Sequence, residues 1–171
     1  MSDDGSRPTS GDGPGPALRA LVDAAVDVDE SEAAVTVVGR DDEPGPAARL
    51  AALVDGDDSV VGVVPRIDSS LARRVADDLD GETRLVFTGS AVDRLGGPAG
   101  AAVRSVLTAH GVEAYRHEGD SPVGVLLAGD RAVVGLFDER GIAAVCWSDA
   151  PPVREWAAAT CRRFLAAAER A

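Results

Sequence analysis

Apolar residues along this chain fall into two alternating rhythms. Leu18, Leu21, Val22 and Ala25 recur at helical spacing, and residues 33–39 form a β-branched run that predicts a buried strand. The pair then repeats. Ala47, Leu50, Ala51 and Val54 mark a second helix, and residues 59–65 (SVVGVVP) mark a second strand. Asp68 offers an N-cap for a helix striped by Leu71, Val75 and Leu79, and residues 84–88 (RLVFT) read as a third strand. A short helix at 90–95 breaks at Gly96-Gly97, and Pro98 opens the next one. That helix carries Val103, Val106, Leu107 and His110 on one face, predicted to be buried with His110 as a core residue; Gly111 ends it.

The second half changes character. Residues 112–116 form a strand, then 123–128 and 132–137 predict a hairpin across Gly129-Asp130. Residues 138–141 turn the chain into a last strand, 142–147. A closing helix is predicted from Pro152 to the C-terminus, with Val153, Trp156, Ala157, Thr160, Cys161, Phe164 and Leu165 on one stripe. That stripe suits packing on its own sheet or a homodimer seam. The expected fold is α/β: a mixed, mostly parallel sheet with helices on both faces, a C-terminal hairpin and a long C-terminal helix. Residues 1–15, rich in Gly, Pro, Ser and Asp, read as a disordered acidic tail, and 16–171 as a single domain.

Charge narrows the function. Acids outnumber bases 29 to 17, net charge is −12, and every basic residue is Arg. An acidic surface without Lys stays hydrated in concentrated salt, so the composition reads as halophilic. It argues against direct nucleic-acid binding, which draws on clustered Lys and Arg. Arg73-Arg74 and Arg162-Arg163 are the only adjacent basic pairs, each on a predicted helix and best read as solvated. No apolar run approaches the roughly 18 residues of a membrane helix, and the N-terminus lacks a signal-like apolar stretch, so a cytoplasmic protein is expected.

Chemistry is sparse. His110 and His117 stand seven apart, Cys146 and Cys161 fifteen apart, and no CxxC, HxxxH or GxSxG occurs. Reduced core thiols are expected, with no catalytic or metal-ligating set and no cofactor. One enzymatic fragment remains. Arg94-Leu95-Gly96-Gly97-Pro98-Ala99 fits the loose R-x-x-G-x-A pattern of acetyl-CoA-dependent N-acetyltransferases, in which backbone N–H groups hold a pyrophosphate. Pro98 removes one such donor, and a helix-to-helix turn explains the same residues.

From about Val60 onward the segments GVVPRIDSSLARRVADDL, TRLVFTGSAVDRL, HGVEAYRHEGDSPVGVLLAGDRAVVGLFDERG and WSDAPPVREWAAATCRRFLAAAERA follow in an order that resembles a known family. It is similar to the effector domain of archaeal transcription regulators of the methanogenesis-regulator type, related to the TrmB-like regulators, with a phospholipase-D-like sensor. The resemblance implies a non-enzymatic effector-sensing or dimerisation domain. That family carries a winged helix, but residues 16–58 read as helix–strand–helix, so a separate DNA-binding partner or a homodimer is implied. Phospholipase D chemistry requires paired His and Lys, and this chain has no Lys. Any effector would sit at the carboxyl ends of the strands, where Arg66, Ser69, Thr88, Ser90 and Arg116 fall. A small anionic molecule near Arg66, Thr88 and Arg116 is the expectation; helix caps and ordinary surface polarity are the plainer alternative.

Overall fold

A computed structural model describes residues 13–26, 35–54, 59–67, 71 and 82–171. The chain enters through helix α1 (Pro14–Val26), strand β1 (Thr36–Gly39), helix α2 (Pro46–Val54) and strand β2 (Val60–Val64). Strand β3 (Thr83–Phe87), helices α3 (Ser90–Gly96) and α4 (Gly100–Ala109), and strand β4 (Val112–Arg116) follow. Strands β5 (Gly124–Ala128), β6 (Arg131–Asp138) and β7 (Gly141–Ser148) lead to helix α5 (Pro151–Ala166) and a two-residue strand β8 (Glu169–Arg170). The helix predicted from Asp68, with Val75 and Leu79, lies outside the described residues except for Leu71, which is helical and buried.

Among the described residues the eight strands form one sheet in the order β1-β7-β6-β5-β2-β3-β4-β8. Among the described strands only β2–β3 and β3–β4 are parallel. The other five pairings are antiparallel, so the mostly parallel sheet expected from the sequence is corrected. A strand–helix–strand rhythm implies parallel neighbours only if its two strands pair. Here β1 pairs with β7, with Thr36 opposite Trp147, while α2 carries the chain on to β2 beyond β5. Short turns then fold β5, β6 and β7 into an antiparallel meander. The first is Gly129-Asp130, with Gly129 at φ 56°, where a residue without Cβ is unstrained.

Two other expectations change. Strand β1 is a half-buried edge rather than a buried strand, because a four-residue strand at the rim has one neighbour. The C-terminal helix stops at Ala166, and the chain returns as β8 beside β4, with Glu169 opposite Arg116. Prolines at the start of α5 fit because that turn's N–H groups have no helical acceptor.

Helices cover both faces, as expected. On one face Val63, Val125, Val134 and Cys146 pack against Leu18 and Val22 of α1 and Val153, Ala157 and Cys161 of α5. The α5 stripe therefore packs on its own sheet, with Trp156 and Phe164 half-buried at its margin. Leu18 and Val22 are fully buried, and each contributes roughly 1.5–3 kcal/mol, which anchors α1. On the opposite face Val60, Val133 and Val145 meet Leu50 and Val54 of α2 and Leu71. Beside them Phe87, Ala91 and Leu95 pack with residues of α3 and α4.

Candidate ligand pocket

Helix α4 departs from its pattern in an instructive way. Its stripe was expected to be core, yet Val106 is 52% exposed and Val103, Leu107 and His110 are only half-buried. These four side chains instead wall a hollow of about 150 Å³. Leu50 and Val54 of α2 also line it, with Leu85 and Phe87 of β3 and Leu126 of β5. Periodicity correctly identifies the apolar face of α4, but that face packs only in part, with Val103 and Leu107 against the cluster of Phe87 and Leu95, and also borders a cavity. His110, expected in the core, is part of this wall.

Small residues help to shape the hollow. Gly124 of β5 and Gly135 of β6 lie directly opposite one another, and both line it. A Cβ on either would approach the Phe137 ring, at 3.1 and 3.3 Å respectively. The ring therefore occupies the space that two side chains would otherwise fill. Among the described lining residues the polar side chains are Arg66, Thr83 and His110. Arg66 follows β2, is half-buried, and among the described residues makes no hydrogen bond or ion pair.

Of the predicted site residues, Arg66, Thr88, Ser90 and Arg116 lie at or just beyond the carboxyl ends of β2, β3 and β4, where Val64 is in register with Phe87 and Phe87 with Arg116. They do not converge on one cavity. Arg66 lines the apolar hollow. Arg116 lines a separate depression with Arg104 and reaches Glu169 at 3.5 Å. Thr88 is fully buried, and among the described residues its hydroxyl has no hydrogen-bond partner. The Ser90 hydroxyl donates to the Pro65 carbonyl at 3.3 Å, and Ser69 lies outside the described residues. At this edge Gly89 has φ 54°, its N–H donates to the Gly119 carbonyl, and the Asp120 carboxylate lies against it. His117 accepts the Gly119 N–H at Nδ1 (2.8 Å), so its proton sits on Nε2, and its ring packs on Phe164.

Neither cysteine has the setting of a nucleophile. Burial pushes the Cys146 and Cys161 thiols up to about 12, so both are protonated at neutral pH. The Cys161 thiol points at the backbone carbonyls of Val61 and Val125. The Arg94–Ala99 segment joins α3 to α4, and the Arg94 guanidinium donates to the Ile67 carbonyl at 2.8 Å. Among the described residues no group of three His, Cys, Asp or Glu side chains would hold a metal, and no helix is long and apolar enough to cross a membrane.

The residues that sequence reasoning passed over are the α2 and α4 wall and the Gly124–Gly135 pair. One signal was present: both glycines interrupt apolar runs, PVGVLLA and RAVVGLF, where a side chain would otherwise pack.

Comparison with known proteins completes the picture. The family model described as "Methanogenesis regulatory protein FilR1, middle domain" matches residues 45–167. No curated protein sequence matches the chain. Among solved structures, TrmBL2, described as an archaeal chromatin protein with a novel mode of DNA binding, aligns with a TM-score of 0.57 at 14% identity. The alignment covers 91% of this chain and 61% of that one, so this chain spans less than two thirds of TrmBL2. Nuc from Salmonella typhimurium, a phospholipase D family member, aligns at TM-score 0.63 and 12% identity, over 81% of this chain and 97% of that one. NucT from Helicobacter pylori aligns at 0.64 and 9%, over 80% and 98%. At these identities the likeness is one of fold.

Proposed function

We propose that this chain, which belongs to the FilR1 middle-domain family, is a non-enzymatic effector-sensing domain of an archaeal-type transcription regulator, acting with a separate DNA-binding partner. One observation carries the reading: an apolar hollow of about 150 Å³ walled in part by the half-buried stripe of α4, with Arg66 at its side. A protein selected only for stability fills such a space, because each missing contact costs dispersion and burial energy. A ligand supplies that filling when it binds, and stabilises the occupied form by mass action.

The phospholipase-D-like fold neighbours raise the alternative of phosphodiester hydrolysis. The chain lacks lysine, and its two thiols are held protonated, which favours sensing over that chemistry. The acetyltransferase reading gains no support from the family or from the fold neighbours. A net charge of −12 without lysine favours contact with DNA through a partner, and we read the same composition as adaptation to molar salt in the cytoplasm.

The test has two arms. Chromatin immunoprecipitation of the tagged chain in its native cells is expected to enrich discrete promoter fragments. The purified chain alone is expected to leave those fragments unshifted at low and at molar salt. Uniform recovery of DNA in cells, or hydrolysis of bis(p-nitrophenyl) phosphate by the purified chain, would sink the reading.

A further inference from the structure

We infer that the hollow between α2, α4 and the sheet takes a small, neutral, hydrocarbon-rich molecule about one ring in size, which enters past Val106. This ligand class deepens the sensing role proposed above and rests on it.

Polarity gives the first constraint. Arg66, Thr83 and His110 border the hollow, yet nitrogen and oxygen make up almost none of its exposed lining. What those residues present to the space is carbon, continuous with that of Val54, Leu85, Leu107 and Leu126. A charged group or a sugar placed there loses its hydration and finds no partner in return. Hydrocarbon has no such loss, and it gains by leaving water in proportion to the area it buries.

Size gives the second. At about 150 Å³ the space matches a cavity that accepts benzene, and it is well below the roughly 300–1,000 Å³ of pockets for drug-sized ligands. A nucleotide or an oligosaccharide does not fit, whereas a single ring or a branched chain of similar bulk does.

The placing of aromatic and small residues supplies the third. The chain has three Phe residues, and two of them, Phe87 and Phe137, line the hollow. Gly124 and Gly135, opposite one another on β5 and β6, leave room for the Phe137 ring, which a Cβ on either would approach to 3.1 or 3.3 Å. Such walls favour a ring, through edge-to-face or offset contact, beyond what buried area alone provides. Val106 is the large apolar side chain left exposed among the described residues, and it lines the hollow as well. It borders both the space and the solvent, so the hollow is reached from outside past α4.

Calorimetric titration of the full chain with toluene, set against benzyl alcohol and benzoate, tests this directly. The native chain is expected to bind toluene saturably at one site, and the alcohol and the acid about tenfold more weakly or worse. Val106→Trp, at an exposed position on the α4 wall, is expected to weaken toluene binding at least fivefold by narrowing the hollow, with the melting transition still cooperative. Leu107→Ala enlarges the hollow, and is expected to shift preference from toluene toward propylbenzene by about fourfold for each methylene newly accommodated. Benzoate or benzyl alcohol binding as tightly as toluene overturns the neutral apolar class and leaves sensing of a polar ligand standing. Toluene binding that neither variant alters puts the ligand elsewhere and overturns the site. Failure of toluene to bind up to its solubility limit overturns the proposal and removes the pocket as support for sensing; promoter enrichment in cells then decides whether the regulator role survives.

Discussion

Arg40 grips Asp138 with both arms of its guanidinium, Nη1 to Oδ2 at 2.7 Å and Nη2 to Oδ1 at 2.8 Å. The same Nη2 also reaches the Ile142 carbonyl at 3.4 Å. This contact ties the end of edge strand β1 to the β6–β7 turn, 98 residues away in sequence. The turn is held from within as well, since the Arg140 N–H donates to Asp138 Oδ1 at 2.8 Å.

The pair makes stability depend on acidity. The Arg40 hydrogen bond, followed by the Arg140 N–H, holds the Asp138 carboxyl well below the usual carboxylate range. A carboxyl depressed on folding stabilises the protein above its unfolded value of about 4, and that contribution is lost as pH falls through the folded value. Asp138→Asn is therefore expected to lower the urea midpoint at pH 7, with the gap to the native protein narrowing steadily below about pH 4. A gap that is constant down to acid pH would show that the ion pair does not carry the difference.

A second prediction concerns Gly62 in β2. A Cβ there would collide with the Leu126 side chain, which packs over it, and would stand 2.9 Å from the Val125 carbonyl. Backbone on the neighbouring strand cannot swing away as a side-chain tip can. Gly62→Ala is expected to cost about 1–3 kcal/mol by chemical denaturation, through displacement of Leu126 at the pocket lining. An unchanged midpoint would mean that β5 is free to shift away.

Both thiols are buried and pushed up to about 12, so at pH 8 the thiolate fraction is very small and the reagent has no path to it. A disulfide reagent such as dithionitrobenzoate is expected to find no reactive thiol in the native chain and both cysteines after denaturation. Rapid labelling of one cysteine in the native state would place it in an accessible setting.

Salt provides a fourth test. The acid excess repels itself at low ionic strength, and screening shortens to roughly 3 Å at 1 M. The melting temperature is expected to climb from low to molar KCl. A melting temperature independent of KCl would contradict halophilic adaptation.

What the sequence by itself determined is whatever depends on near neighbours along the chain. The Gly129-Asp130 turn, the proline start of α5, Gly111 at φ 74° after α4 and the stripes of α1, α2 and α5 all follow from local sterics and periodicity. The order of segments from Val60 onward resembles that of the regulator family, and the family match at residues 45–167 agrees with it. Tertiary structure decided the rest. That Thr36 pairs with Trp147 rather than with β2 depends on which edge is open once the β5–β6–β7 meander has formed, and no periodicity in residues 33–39 encodes it. The hollow is the clearest case. Helical spacing specifies which side chains of α4 share a face, but a filled core and a cavity require the same apolar residues. The spacing of α2 and α4 over the sheet, with glycine at 124 and 135, leaves Val103, Leu107 and His110 bordering the hollow.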